Sequence, residues 1–427
     1  MRVQLPTLIE KQVAPLKRTA RLSRKLMAYL GPGFFVTVGF IDPGNWATNI
    51  AAGSNFNYDL LWVVMLSTLV LILWQHMSAH LGIATGRCLA EAVYEYVTPI
   101  PRLLYGSTAM AACVATALAE ILGAALGLSI LFRVPLRMGT LCVGLFVVTI
   151  IWFQHYRALE RLIVGFVSAI GLCYLIELYL VKPDWAQAAY HTFVPKLNSS
   201  SIVIAMGVLG AVVMPHNLYL HSEVIQNRDW GGKSEDETRR LLRFEFVDTL
   251  LAMLVGFAIN ASMVIVAASV FYRHGIRVSD LAQAAETLKP LVGDLAGVVF
   301  GLALLFSGLS SSLTAGIAGG TTFSGFLGRR TELESPWFRT GVILTIVPAT
   351  GLVMLTRNPF QALIISQVCL SVQLPLTMLP LLLLTSSRRV MGCYANGLLE
   401  TGLMVATGLV IVLLNVLLIY QLFGGRF

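Results

Sequence analysis

Most of the chain is built from apolar runs of about 17–29 residues, near the ~20 residues a helix needs to cross the hydrocarbon of a bilayer. Eleven such runs fall near residues 32–54, 59–81, 103–131, 137–153, 160–181, 202–226, 244–271, 295–319, 338–356, 361–384 and 397–422. The linkers between them are short and polar or carry Gly and Pro, as in Lys182-Pro183-Asp184-Trp185 and Asn227-Arg228-Asp229-Trp230-Gly231-Gly232-Lys233. Charged residues make up only 12% of the chain and hydrophobic ones 56%, against roughly 25% charged for a soluble domain. Such a chain cannot cover itself with a water-soluble surface, and it reads as an all-α polytopic membrane protein without a soluble domain.

Thirty Lys and Arg against 22 Asp and Glu leave a net charge of +8. In a soluble protein that excess raises the question of nucleic acid. Here the basic residues sit in short loops, where they fix orientation. With the N-terminus in the cytoplasm, 21 of the 30 fall on the cytoplasmic side, the bias expected of inward-facing loops. An odd number of spans then leaves the C-terminus outside, and the chain reads as a multi-pass protein of the cell membrane. Residues 1–28 carry six of the basic residues between Lys11 and Lys25 with no short apolar core and cleavage site, which makes them a cytoplasmic tail and not a secretory signal. The six cysteines are far apart, with no CxxC pair; neither a disulfide framework nor a thiolate metal site is expected.

Two of the runs are interrupted in the same way. The first contains Asp42-Pro43-Gly44-Asn45 and the sixth Met214-Pro215-His216-Asn217, each in the middle of apolar sequence. Proline removes a backbone donor and glycine loosens a helix, so both spans should break there. Broken backbone at membrane depth is tolerated where it lines a cavity or is buried in protein. Spans one and six hold equivalent places if residues 29–181 and 202–384 are two five-helix repeats, with 397–427 an added eleventh helix and a short end. Five spans per repeat put the halves in opposite orientation, and matching interruptions in two halves point to a transporter's binding site.

Asp42 lies near the bilayer centre, where a carboxylate costs at least ~2.5–3.5 kcal/mol on insertion scales. No Lys or Arg is found at comparable depth, so a bound cation or a proton must offset the charge. Asn45 adds a neutral oxygen, and the breaks free backbone carbonyls. A thioether from Met214 adds a soft ligand to these hard oxygens, which favours Mn, Fe or a similar ion over Mg and Ca.

The motifs Gly39-Phe40-Ile41-Asp42-Pro43-Gly44-Asn45, Ser78-Ala79 with Leu81-Gly82-Ile83-Ala84-Thr85-Gly86, Gly210-Ala211-Val212-Val213-Met214-Pro215-His216, and Ser366-Gln367-Val368 with Leu374-Pro375 resemble those of the natural-resistance-associated macrophage protein (Nramp) family of divalent metal transporters. The resemblance runs from about residue 30 to 422. It implies a LeuT-like inverted repeat with discontinuous helices 1 and 6, alternating access, and metal held by Asp42, Asn45, the Ala211 carbonyl, the Met214 sulfur and, in some conformations, Gln367. It further implies that His216 and Glu120 carry protons, and that Gln75, Asn260 and the Ser310 region line the site or its pathway. The chain departs from the family at two places: Ala117 and Met110 stand where acidic residues are usual. Neither carries a proton, so the resemblance implies a weakened proton route beside an intact metal site.

Other polar residues have plainer readings. His76 and His80 are four apart on one helix face, a spacing that can bind zinc, but the sequence offers no carboxylate or third ligand beside them. His216 and His221 are five apart, about 140° round a helix, and do not converge. Glu177 and Asp248 read as buried structural groups, and Ser310-Ser311-Ser312 as helix packing or cavity lining. No HExxH or comparable ligand set suggests a metalloenzyme, so no enzyme activity is expected. The leading expectation is a monomeric importer of Mn, or of Fe, with metal ions, protons and lipid as its partners and no resident cofactor. The alternatives are a cation-coupled organic-solute carrier on the same fold, which has no use for a thioether at 214, and a metal sensor that transports nothing.

Overall fold

The computed structural model describes residues 32–37, 41–153, 156–226, 234–282, 284–285, 294–329 and 331–423. The basic tail 1–28, Gly39 and Phe40 of the first motif, the linker 227–233, the last four residues and the side chain of Glu177 lie outside the described residues.

Every regular element among the described residues is helical. In chain order they are α1 (Pro32–Thr37), α2 (Pro43–Phe56), α3 (Leu61–Thr85), α4 (Leu89–Tyr96), α5 (Pro99–Phe132), α6 (Leu136–Phe153), α7 (Tyr156–Val181), α8 (Trp185–Phe193), α9 (Ile202–Val212), α10 (Pro215–Gln226), α11 (Glu235–Val270), α12 (Asp294–Phe326), α13 (Pro336–Leu355), α14 (Pro359–Thr385), α15 (Arg388–Met391) and α16 (Leu398–Leu422). Among the described residues nine helical stretches, α9 and α10 taken together, are long and apolar enough to cross a membrane. The first expected span is divided between α1 and α2, and the fifth corresponds to α7.

Several helices outrun the apolar stretches that announced them. α5 begins at Pro99, α11 at Glu235, and α12 continues to Phe326. The start of α11 shows why. Ser234 accepts from the Glu237 amide, and the Glu237 carboxylate answers at Ser234, a capping box that starts the helix on charged sequence. Hydropathy marks only the part of a helix that lies in lipid. The short helices α4, α8 and α15 between spans were not expected for the same reason.

Both expected interruptions are present, each displaced by a residue or two toward the N-terminus. α2 starts with Pro43 and α10 with Pro215, so each proline opens a half-helix. Its missing N–H belongs to a position that has no intrahelical partner anyway, and its fixed φ suits a first turn. The unwound residues are those just before it: Ile41 and Asp42 in the first span, Val213 and Met214 in the sixth.

Burial separates inner from outer helices. The α9–α10 stretch is 89% buried over its apolar window, while α16 is 22% buried and turns Leu399, Leu409 and Leu413 outward. The broken pair therefore runs through the middle of the bundle and α16 along its edge. α2 packs on α11 and α9, α9 on α14, and α5 lies along α12. These contacts bring the two breaks together.

Candidate metal centre

Asp42 is completely buried and caps α2. Its Oδ1 accepts from the Asn45 amide at 2.8 Å and its Oδ2 from the Gly44 amide at 3.1 Å. The carboxylate thus sits at the positive end of a helix, where the dipole and two N–H groups stabilise negative charge. No ion pair among the described residues involves it.

Asn45, one turn on, ties the two breaks together: its Nδ2 donates to Asp42 Oδ1 at 2.5 Å and to the Ala211 carbonyl at 2.9 Å. That carbonyl is accessible because α9 ends at Val212 and the next turn is not formed. Gln367 of α14 approaches from the third side, its Nε2 3.4 Å from Asp42 Oδ2. The amide oxygens of both Asn45 and Gln367 are buried without a hydrogen-bond partner among the described residues. Turning each amide over places an oxygen beside the Asp42 carboxylate where an N–H₂ now stands, and with the Ala211 carbonyl these are the oxygen groups able to hold a cation.

Met214 is buried at the second break, packed with Ala112, Ala115 and Leu370, and its sulfur accepts weakly from Asn217 Nδ2 at 3.9 Å. Space for the cluster depends on missing side chains. A Cβ on Gly44 would lie 1.7 Å from Gln367 Nε2, and one on Gly123 of α5 would lie 1.9 Å from Pro43 Cβ.

The residues expected along a proton or gating route do not form one chain. Glu120 of α5 is fully buried beside Asp42 and accepts from Ser311 of α12. His216 shares a hydrogen bond with Thr116 through Nδ1 at 3.0 Å, Gln75 pairs with His221 at 3.0 Å, and Asn260 accepts from Asn49 at 2.7 Å. Ala117 is completely buried, while Met110 lines a cavity with Tyr94, Arg102 and Phe326. Ser310 bonds back to its own helix. Its neighbours Ser311, on Glu120, and Ser307, on the Ile41 carbonyl before the first break, are the serines that reach the site. Their spacing of four on one helix face was the available signal. Asp248 bonds the Gly33 amide at 2.7 Å and anchors α1, the structural role expected of it.

One reading is corrected. His76 does have a carboxylate beside it: its Nδ1 lies 2.5 Å from Oε2 of Glu245 on α11. The partner is 169 residues away in sequence, so no local spacing reveals it. A second cluster was also missed. Cys88, Glu91 and Glu223 place ligand-type atoms within 4.8 Å of one another. Glu91 there completes a cap on the Cys88 amide at 3.0 Å. Burial, and then the charge of Glu91, holds the Cys88 thiol well above the ordinary thiol range. As expected, none of the six cysteines is in a disulfide.

The sequence profile of the natural resistance-associated macrophage protein-like family matches residues 33–421. The divalent metal cation transporter MntH of Caldanaerobacter subterraneus is 40% identical over 406 residues, covering 94% of this chain and 95% of the relative. That of Bacillus subtilis is 39% identical over 404 residues, 94% of this chain and 93% of the relative. The crystal structure of a mutant of the Eremococcus coleocola manganese transporter superposes with a TM-score of 0.81 at 29% identity, covering 94% of this chain and 88% of that one. The nucleobase-cation symporter Mhp1, at 15% identity and a TM-score of 0.59 over 92% of each chain, shares the fold alone. With the profile spanning nearly its whole length, this multi-pass membrane chain belongs to the Nramp family, whose members are transporters of divalent metal cations and not enzymes.

Proposed function

We propose that the chain imports Mn, or Fe, across the plasma membrane by alternating access, with Asp42, Asn45, the Ala211 carbonyl, the Met214 sulfur and Gln367 as the ligands. The observation that carries this reading is the Asp42 carboxylate, wholly buried at the meeting of two helix breaks, with amide and carbonyl groups around it and no cationic side chain on it. A desolvated carboxylate is costly, and a divalent ion offsets that cost while using the surrounding oxygens. Met214 supports a late transition ion over Ca or Mg. The metal is cargo, and the reading includes no resident cofactor.

The two five-helix repeats, 29–181 and 202–384, are supported by the matching way in which Pro43 and Pro215 restart their helices. A cytoplasmic N-terminus is supported by the Lys and Arg bias; it puts exposed Cys393 on the cytoplasmic side, which labelling with a membrane-impermeant thiol reagent checks. The chain works as a monomer in this reading. Proton flux is loosely tied to metal, since Ala117 and Met110 supply no titratable group on α5.

The test is radioactive Mn uptake into proteoliposomes with and without a pH gradient. Saturable uptake that persists without the gradient is expected. Mn that binds but never enters the lumen would mean a sensor, and an organic substrate driving uptake in place of Mn would mean a solute carrier.

A further inference from the structure

α5 lacks acidic groups at 110 and 117, but titratable side chains gather elsewhere. On α3, the His76 and His80 rings stack with centroids 5.9 Å apart. His76 Nδ1 meets Glu245 Oε2 at 2.5 Å, and the other oxygen of that wholly buried carboxylate accepts from Thr249 at 2.6 Å. Phe246 closes on His76 edge-on at 5.0 Å. His80 is 93% buried, given its 7% exposure, and neither ring nitrogen meets strict hydrogen-bond geometry among the described residues, with the Tyr394 backbone close enough to act on the ring. A histidine in a packed interior normally has a partner for each nitrogen, and the looser geometry here leaves this ring free to take or give a proton beside His76. The charged or titratable groups that act on the pair are Glu245 from α11, Glu400 from the start of α16, and His221 from α10. His76 keeps 17% of its side chain exposed, which gives the cluster an outlet.

We propose that His76, Glu245 and His80 form a proton-binding site that serves the transport cycle on α3 and α11, away from the α5 route that the family resemblance implied. When the pair takes up one proton, a neutral ring facing a carboxylate becomes an imidazolium–carboxylate pair. The local charge moves from −1 to 0, and release restores it. Glu245, held by Thr249, fixes the His76 ring, and His80 offers a second ring that takes or gives a proton without breaking a hydrogen bond. The proposal rests on the metal-transport reading, and the proton flux loosely tied to metal passes through this site.

The experiment uses the full chain in liposomes that contain a pH-sensitive dye and hold an inside-negative potential, with radioactive Mn added outside. The quantity read is the number of protons entering per Mn. Glu245→Gln and His80→Gln should each remove most of the proton entry per Mn, and Glu245→Asp should restore part of it. His80→Gln removes the titratable ring and its stack on His76, so an unchanged melting temperature in that variant is the check that a lowered ratio reports the lost proton site and not a disturbed fold. An unchanged ratio in both variants, or a wild type that moves no protons with Mn, overturns the proposal. A wild type that takes up no Mn sinks the transport reading as well, and that failure shows in the radioactive signal.

Discussion

Asp42 has two tasks: it caps α2 and it brings a carboxylate to the meeting of the breaks. Asp42→Ala removes both. Binding of Mn should fall by about a hundredfold or more, which is ~3 kcal/mol at ~1.4 kcal/mol per decade. Calorimetry on the purified variant checks this, and unchanged affinity would place the metal elsewhere. Met214 poses a sharper question, because its side chain also packs against Ala112 and Leu370. If the sulfur is a ligand, Met214→Ala loses Cd and Mn affinity modestly and lets Ca compete with Mn uptake far better than in the wild type. Equal inhibition by Ca in both proteins would reduce Met214 to a packing residue. At this scale the sequence was legible where the chemistry is local. Asp42, Pro43 and Asn45 share one turn, and their spacing alone predicts a polar break. The approach of Gln367 to Asp42 across 325 residues, of Ser311 to Glu120 across 191, and of Glu245 to His76 across 169 is set by packing, and no spacing rule reaches that far.

Among the elements, the site depends on how closely α5 approaches the start of α2. Gly123 faces Pro43 with no room for a methyl group. Gly123→Ala must therefore push α2 away, and overpacking of this kind costs about 1–3 kcal/mol. A lowered melting temperature in detergent and weaker Mn binding are expected together. Gly402→Ala on α16 is the control, since nothing lies within 4 Å of a Cβ there; equal effects of the two substitutions would show that the α2–α5 contact has no special role. The helices themselves were readable from apolar runs. Their ends were not, because Pro99 and Glu235 begin helices in sequence too polar for a hydropathy window.

For the whole molecule, the open question is how firmly metal movement is tied to proton movement. Ala117 lies one turn before Glu120 and is completely buried, so Ala117→Asp places a second carboxylate on the same helix face. In dye-loaded liposomes the variant should acidify the lumen more per Mn than the wild type does. No increase would mean that α5 is not the limiting stretch. The fold at this scale was legible because two prolines in equivalent spans announce a repeat, and both turned out to start half-helices at the centre of the bundle.

The cap on α2 has a consequence for how occupancy would be read out. Three hydrogen bonds already use the Asp42 oxygens strongly, two from backbone amides and one from Asn45. A cation bound to the same carboxylate draws electron density from it and weakens it as an acceptor for Gly44 and Asn45. Ligands ordinarily slow amide exchange where they bind. In this molecule deuterium should enter the first turn of α2 faster when Mn is present, while the rest of the helix is unaffected or slowed, so that hydrogen-exchange mass spectrometry of the 42–56 segment reports metal occupancy with an inverted sign.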